Sequence, residues 1–173
     1  MKIFKHIESK IYKDYFFIKG NIDLDQNYFI DKIKKGVEQE NNLNNKTNVQ
    51  GRMTDWRYFN NDLKFYEILL QLVDYVDDKI YTGRFAVNEA WGFEEGFGQK
   101  TTKHSHSGSL LSGVIYLSKV NQPLKFNQIG EEVNPDIGNF ALFSGWLEHG
   151  CPRNYGKDIK YGISFNTTKN YGI

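Results

Sequence analysis

The chain has 173 residues, of which 39% are hydrophobic and 16% aromatic, with a formal net charge of +1. That size and apolar content suit one compact domain with a sizeable core, and so many aromatics exclude a disordered chain. Neither half is strongly basic, which argues against nucleic-acid binding through bulk electrostatics.

From Met1 to Lys13 charged and apolar residues alternate. No uninterrupted apolar run of the signal-peptide type is present, and no stretch of about 20 apolar residues that would span a membrane occurs anywhere. Residues 10–19 predict a strand, because Ile11, Tyr12, Tyr15, Phe16, Phe17 and Ile18 are β-branched or aromatic and Gly20 punctuates the end. Residues 26–39 carry Ile30, Ile33 and Val37 at helical spacing, with Asp25 as the cap. The Asn-rich run from Asn41 to Asn48 reads as an exposed loop.

The clearest helix runs from Asp62 to Ile80, where Phe65, Leu69, Leu72, Val73, Val76 and Ile80 form one apolar stripe. It is expected to buttress the outside of a sheet. After Gly83 the pattern turns to short strands broken by Gly, Asn and Pro: 85–92, 99–105, 110–118, 123–127, 139–143, 146–150 and 159–166. Strands this short and closely spaced suggest a sandwich or barrel. The reading is an α+β single domain over 1–173, with a helical support region at 1–84 carrying one or two strands and a β core at 85–167. Cys151 is the one cysteine, so no intrachain disulfide forms and a reducing, cytoplasmic setting is expected.

Four histidines occur, His6, His104, His106 and His149. His6 reads as a surface residue. In a regular strand residues i and i+2 share a face, so His104 and His106 can approach one ion, and His149 ends another predicted strand. A bare H-x-H is too short to carry a metal site alone. Its surroundings add to it. Leu110-Leu111-Ser112-Gly113-Val114-Ile115-Tyr116-Leu117 comes next, then Pro123-Leu124-Lys125-Phe126. Pro135-Asp136-Ile137-Gly138 then leads into Phe140-Ala141-Leu142-Phe143-Ser144-Gly145-Trp146-Leu147-Glu148-His149, and Lys160-Tyr161-Gly162-Ile163-Ser164-Phe165-Asn166 closes the run.

Over roughly residues 88–167 this string resembles the Fe(II)/2-oxoglutarate-dependent dioxygenase superfamily, closest to the oxygenases of phages and bacteria and to the prolyl-4-hydroxylase-like branch. The resemblance implies a double-stranded β-helix (a cupin-like jelly roll) with the N-terminal helices packed on its outer sheet. It implies Fe(II) bound by His104, His106 and His149. Most members have Asp or Glu where this chain has His106, and no acid lies between Gly96 and Gly130. Related H-x-H sequences occur in the phage and bacterial branch, so the resemblance implies a three-histidine site, still leaving metal positions open. Three histidines plus water also suit zinc.

Lys160 takes the position of the basic residue that pairs the far carboxylate of 2-oxoglutarate; Gly162 stands where the pattern has a serine, and Tyr116 aligns with a tyrosine that binds the same carboxylate. Alternation places Lys160, Gly162, Ser164 and Asn166 on one face of their strand, and Tyr161, Ile163 and Phe165 on the other, against helices. Arg52, Trp56, Arg57 and Asn88 are candidates for the substrate mouth, with Trp91 and Trp146 read as core. The implied activity is hydroxylation of a protein side chain or a small amino-acid-like substrate, with release of succinate and CO2. Two alternatives stand beside it: a three-histidine cupin-type dioxygenase that does not use 2-oxoglutarate, and a non-enzymatic jelly-roll binding or structural protein.

Overall fold

The computed structural model describes residues 3–39, 48–80 and 85–169. Most of the expected Asn-rich loop, and Gly83, lie outside them. The chain opens with a hairpin of β1 (Phe4–Ile11) and β2 (Phe16–Ile22), paired antiparallel. The single strand expected over 10–19 is thus the bend between two strands. The Tyr12 N–H donates to the Tyr15 carbonyl at 2.8 Å, and the two rings stack on each other at 4.6 Å. Composition misled here because aromatic residues that pack in a turn look the same, one by one, as aromatic residues in a strand.

Two helices come after the hairpin. α1 (Gln26–Gln39) buries Phe29, Ile33 and Val37, and its N-terminus is capped by Asp25, whose Oδ1 accepts from the Tyr28 N–H at 3.2 Å. α2 (Leu63–Ile80) buries Phe65, Leu69, Leu72 and Val76, the stripe read from the sequence. Its cap is Asp62, 4% exposed, which accepts from the Phe65 N–H at 2.8 Å and the Tyr28 hydroxyl at 2.7 Å and pairs with Lys32. Burial alone would raise the Asp62 carboxyl; Lys32, the Phe65 amide and Tyr28 outweigh it and hold it below 3.8. A depressed carboxyl stabilises the fold above its unfolded value and loses that contribution as pH falls through the folded one. Asp62→Ala is expected to cost about 2 kcal/mol in urea unfolding at neutral pH, with the deficit shrinking below pH 3.8.

The remaining strands are β3 (Arg52–Met53), β4 (Phe85–Glu95), β5 (Leu111–Tyr116), β6 (Leu124–Phe126), β7 (Glu131–Val133), β8 (Asn139–Ser144) and β9 (Lys160–Lys169). A 7-stranded sheet runs β1-β2-β8-β5-β9-β4-β3, and every pairing in it is antiparallel. The small β6-β7 sheet is extended by bridges pairing Lys125 with Gly150 and His104 with His149. Residues 99–105 and 146–150 therefore meet through isolated bridges and are not the continuous strands expected. A turn, with the Leu147 N–H on the Ser144 carbonyl at 3.0 Å, interrupts the second of them. β1, β3 and β7 escape a pattern search because they are short, charged or at an edge.

The large sheet has an apolar layer on each face. Ile18, Ala90, Ile115, Leu142, Ile163 and Phe165 pack with both helices. Phe17, Phe93, Val114, Tyr116 and Phe143 pack with Leu124, Phe126 and Val133 of the small sheet. This is a jelly-roll sandwich, the double-stranded β-helix, with helices on its outer sheet.

Candidate active site

The two bridged segments bring the histidines together. His104 and His149 exchange backbone bonds, at 3.0 and 2.9 Å, and the His106 N–H donates to the Gly145 carbonyl at 2.7 Å. Gly145 has no room for a side chain, since a Cβ there would meet the Ser109 carbonyl at 2.3 Å and that of His106 at 2.9 Å. That close approach is the physical reason for glycine in the Ser144-Gly145-Trp146 run.

The potential ligand atoms of His104, His106 and His149 all lie within 4.8 Å of one another, and among the described residues no carboxylate joins them. The Nδ1 atoms of His104 and His149 each face a backbone carbonyl at 2.8 Å, of Thr102 and Leu147. A carbonyl only accepts, so Nδ1 carries the proton and Nε2 keeps a free lone pair, the arrangement metal ligation requires. Burial lowers His104; burial first, and then the charge on His104, lowers His106 to about 4 and His149 to about 3. All three rings are neutral at pH 7. Neutral imidazoles with converging lone pairs fit a divalent ion of the iron or zinc type.

Below the histidines lies a cavity of about 50 Å³, lined in part by Trp91, Tyr116, Phe143, Cys151 and Lys160. That volume holds a few waters and not a five-carbon diacid. Lys160 is 1% exposed and forms an ion pair with Glu95, which is 0% exposed and sits directly across from it in the β4–β9 register. The Thr101 hydroxyl donates to Glu95 at 2.8 Å, and the Lys160 ammonium reaches the Cys151 sulfur at 3.4 Å. Burial, with Cys151 and Glu95 close by, pushes the Tyr116 hydroxyl well above its ordinary value, so it stays a proton donor. The lysine expected to pair a cosubstrate carboxylate is thus already matched by a carboxylate of the protein. Glu95 was open to the alternation argument: it shares a face of β4 with Trp91 and Phe93, while Glu94 on the other face pairs with Arg52.

No protein-family profile and no curated protein matches the chain. Solved structures do. The viral collagen prolyl hydroxylase of Paramecium bursaria Chlorella virus 1, solved with 2-oxoglutarate, superposes with a TM-score of 0.66 at 14% identity, covering 87% of this chain and 96% of that one. A prolyl-4-hydroxylase of Pseudomonas putida gives 0.67 at 14% identity, covering 89% and 92%. HygX of Streptomyces hygroscopicus, solved with nickel and 2-oxoglutarate, gives 0.66 at 11% identity, covering 90% and 83%. The chain has the fold of the 2-oxoglutarate-dependent oxygenases.

In this oxygenase fold an open groove of about 450 Å³ leads to the histidines, lined in part by Met53, Trp56, Asn88, Glu89, Trp91 and Asn166. Of the expected mouth residues, Trp56 and Asn88 line it, and the Trp56 and Trp91 rings meet edge-on at 4.8 Å. Arg52 and Arg57 do not. The Arg52 guanidinium turns to Glu94 at 2.5 Å, and the exposed Arg57 is tied to Asp55 through its backbone N–H at 2.8 Å. Trp91 is buried as expected, at 4% exposure, yet it also forms part of the groove wall. Trp146 is not core: it is 48% exposed, and its indole donates to the Asp14 carbonyl at 3.2 Å. Glu89 went unread because a strand bulge, invisible to simple alternation, decides which way it faces.

Proposed function

We propose that this protein is an Fe(II)- and 2-oxoglutarate-dependent oxygenase, a hydroxylase of a protein side chain or a small amino-acid-like substrate. The observation that carries the reading is the cluster of three neutral imidazoles between an open groove and a cavity floored by Lys160, in an oxygenase fold. Bound iron supplies oxygen activation: one oxygen atom enters the substrate and the other enters succinate, with loss of CO2. The chain's own residues do the rest. His104, His106 and His149 would hold the ion. Lys160 and the Tyr116 hydroxyl would take the far carboxylate of 2-oxoglutarate once it shares or displaces Glu95 and opens the cavity. Val114, Leu124 and Phe143 wall the inner chamber off from bulk water, and Trp56 and Asn88 would receive substrate. No helix among the described residues is long and apolar enough to cross a membrane. The free, buried thiol of Cys151 supports a reducing cytoplasm as the setting.

One observation favours a second reading. Lys160 serves Glu95 as counter-ion, so its burial does not by itself demand an acidic cosubstrate. A three-histidine dioxygenase that uses no 2-oxoglutarate would have the same pair. The experiment that separates the two is an anaerobic titration of the Fe(II)-loaded protein with 2-oxoglutarate, watched for the weak visible charge-transfer band of a chelated 2-oxo acid. The band is the expected result. Iron binding without a band moves the assignment to the second reading, and failure to bind any metal leaves a binding or structural role.

A further inference from the structure

Among the described residues that line the groove beside the histidines, Glu89 is the one Asp, Glu, Lys or Arg. Its orientation is built. The β4–β9 register shifts between Val87 and Glu89, leaving Asn88 as the extra residue. Val87 and Ala90 both pack on the helix side of the sheet, so the bulge turns Glu89 to the inner face with Trp91. A bulge next to a site that re-aims one side chain is a recurrent device. The carboxylate is then fixed from below. Asn166, 6% exposed, donates its amide to Glu89 at 3.1 Å, and the hydroxyl of Ser112, 1% exposed, donates to the Asn166 oxygen at 2.8 Å. Among the described residues no lysine or arginine pairs with Glu89, whereas Glu94, Glu95 and Glu131 each have a cation. Beside it the Trp56 and Trp91 rings form an aromatic wall.

We propose that the substrate of this groove carries an ammonium or guanidinium group, seated between the Glu89 carboxylate and the rings of Trp56 and Trp91. A carboxylate held by an uncharged relay and left without a counter-ion attracts a cation, and indole faces add to that attraction. The charge is opposite to what Arg52 and Arg57 would have set had they lined the mouth. An acidic substrate would meet an uncompensated like charge. The chemistry after binding rests on the oxygenase reading; the binding preference does not.

The test uses three matched probes, the N-acetyl methylamides of lysine, glutamine and glutamate, titrated into the full chain with tryptophan fluorescence as the readout. The lysine probe is expected to bind about tenfold more tightly than the glutamine probe, and the glutamate probe more weakly than either. Glu89→Gln, which can still accept the Asn166 bond, is expected to erase the preference; Glu89→Lys is expected to reverse it. The preference should also weaken as salt rises. Equal affinity for all three probes, no saturable binding of any, or a lysine preference that survives Glu89→Gln with unchanged folding overturns the proposal. The anaerobic iron and 2-oxoglutarate band, recorded on the same protein, keeps the two readings apart. A band without a cation preference sinks this inference alone, and a cation preference without a band sinks the 2-oxoglutarate-dependent assignment alone.

Discussion

His149→Ala is expected to weaken Fe(II) binding at least about 100-fold, more than the loss of an outer-shell partner usually costs. Three observations converge on that size. The His149 ring is 5% exposed, its Nδ1 is tied to the Leu147 carbonyl, and it packs against Phe143 at 4.6 Å and Phe126 at 5.4 Å. Its Nε2 is therefore aimed by packing and costs little to organise on binding. An ion that binds only the folded state raises stability by mass action, about 2.7 kcal/mol at 100 times its dissociation constant. The readout is the thermal midpoint with and without Fe(II): wild type should rise, and His149→Ala should not move. His106 separates a three-histidine centre from a two-histidine one. His106→Ala should lose most of the metal-dependent rise, and His106→Asp should keep it, because it recreates the set of two histidines and one carboxylate. A His106→Ala variant that binds iron as tightly as wild type would remove His106 from the ligand set.

The second large effect concerns the buried ion pair. Lys160→Met should cost about 3–5 kcal/mol, because it strands the Glu95 carboxylate in a dry interior. The double variant Lys160→Met with Glu95→Gln should recover most of that loss, since removing both charges of a buried pair is far cheaper than removing one. Urea unfolding of the four proteins gives the coupling directly.

The single variant Glu95→Gln speaks to function. On the oxygenase reading, 2-oxoglutarate must share or displace Glu95 at Lys160 of the wild-type protein and open a cavity of about 50 Å³. With glutamine there, the ammonium is unmatched until a diacid arrives. 2-Oxoglutarate should then bind about tenfold more tightly than to wild type, and should stabilise Glu95→Gln more than wild type in the same thermal assay. A weaker 2-oxoglutarate response in Glu95→Gln would mean that the pair helps to build the site and does not compete for it.

The two helices, the strands expected over 85–92 and 159–166, and the facing of Lys160 against Phe165 are all set by the spacing of apolar residues, because a local period is written in neighbouring letters. His104, His106 and His149 could be picked out by their setting among strand-forming residues. Their meeting could not be derived from spacing alone, since no regular strand carries the H-x-H pair; a two-residue bridge and one bond to Gly145 hold it.

The two helices, the long strands β4 and β9 and their apolar faces were thus determined by the sequence itself. Only the tertiary structure decided that Glu95 meets Lys160, that Arg52 turns to Glu94 and away from the groove, and that Glu89 lines the groove leading to the histidines. Each of those depends on which strand lies beside which and on one inserted residue at Asn88. Register between strands distant in sequence is set by the packing of the whole sandwich, and a shift of one residue sends a side chain to the opposite face.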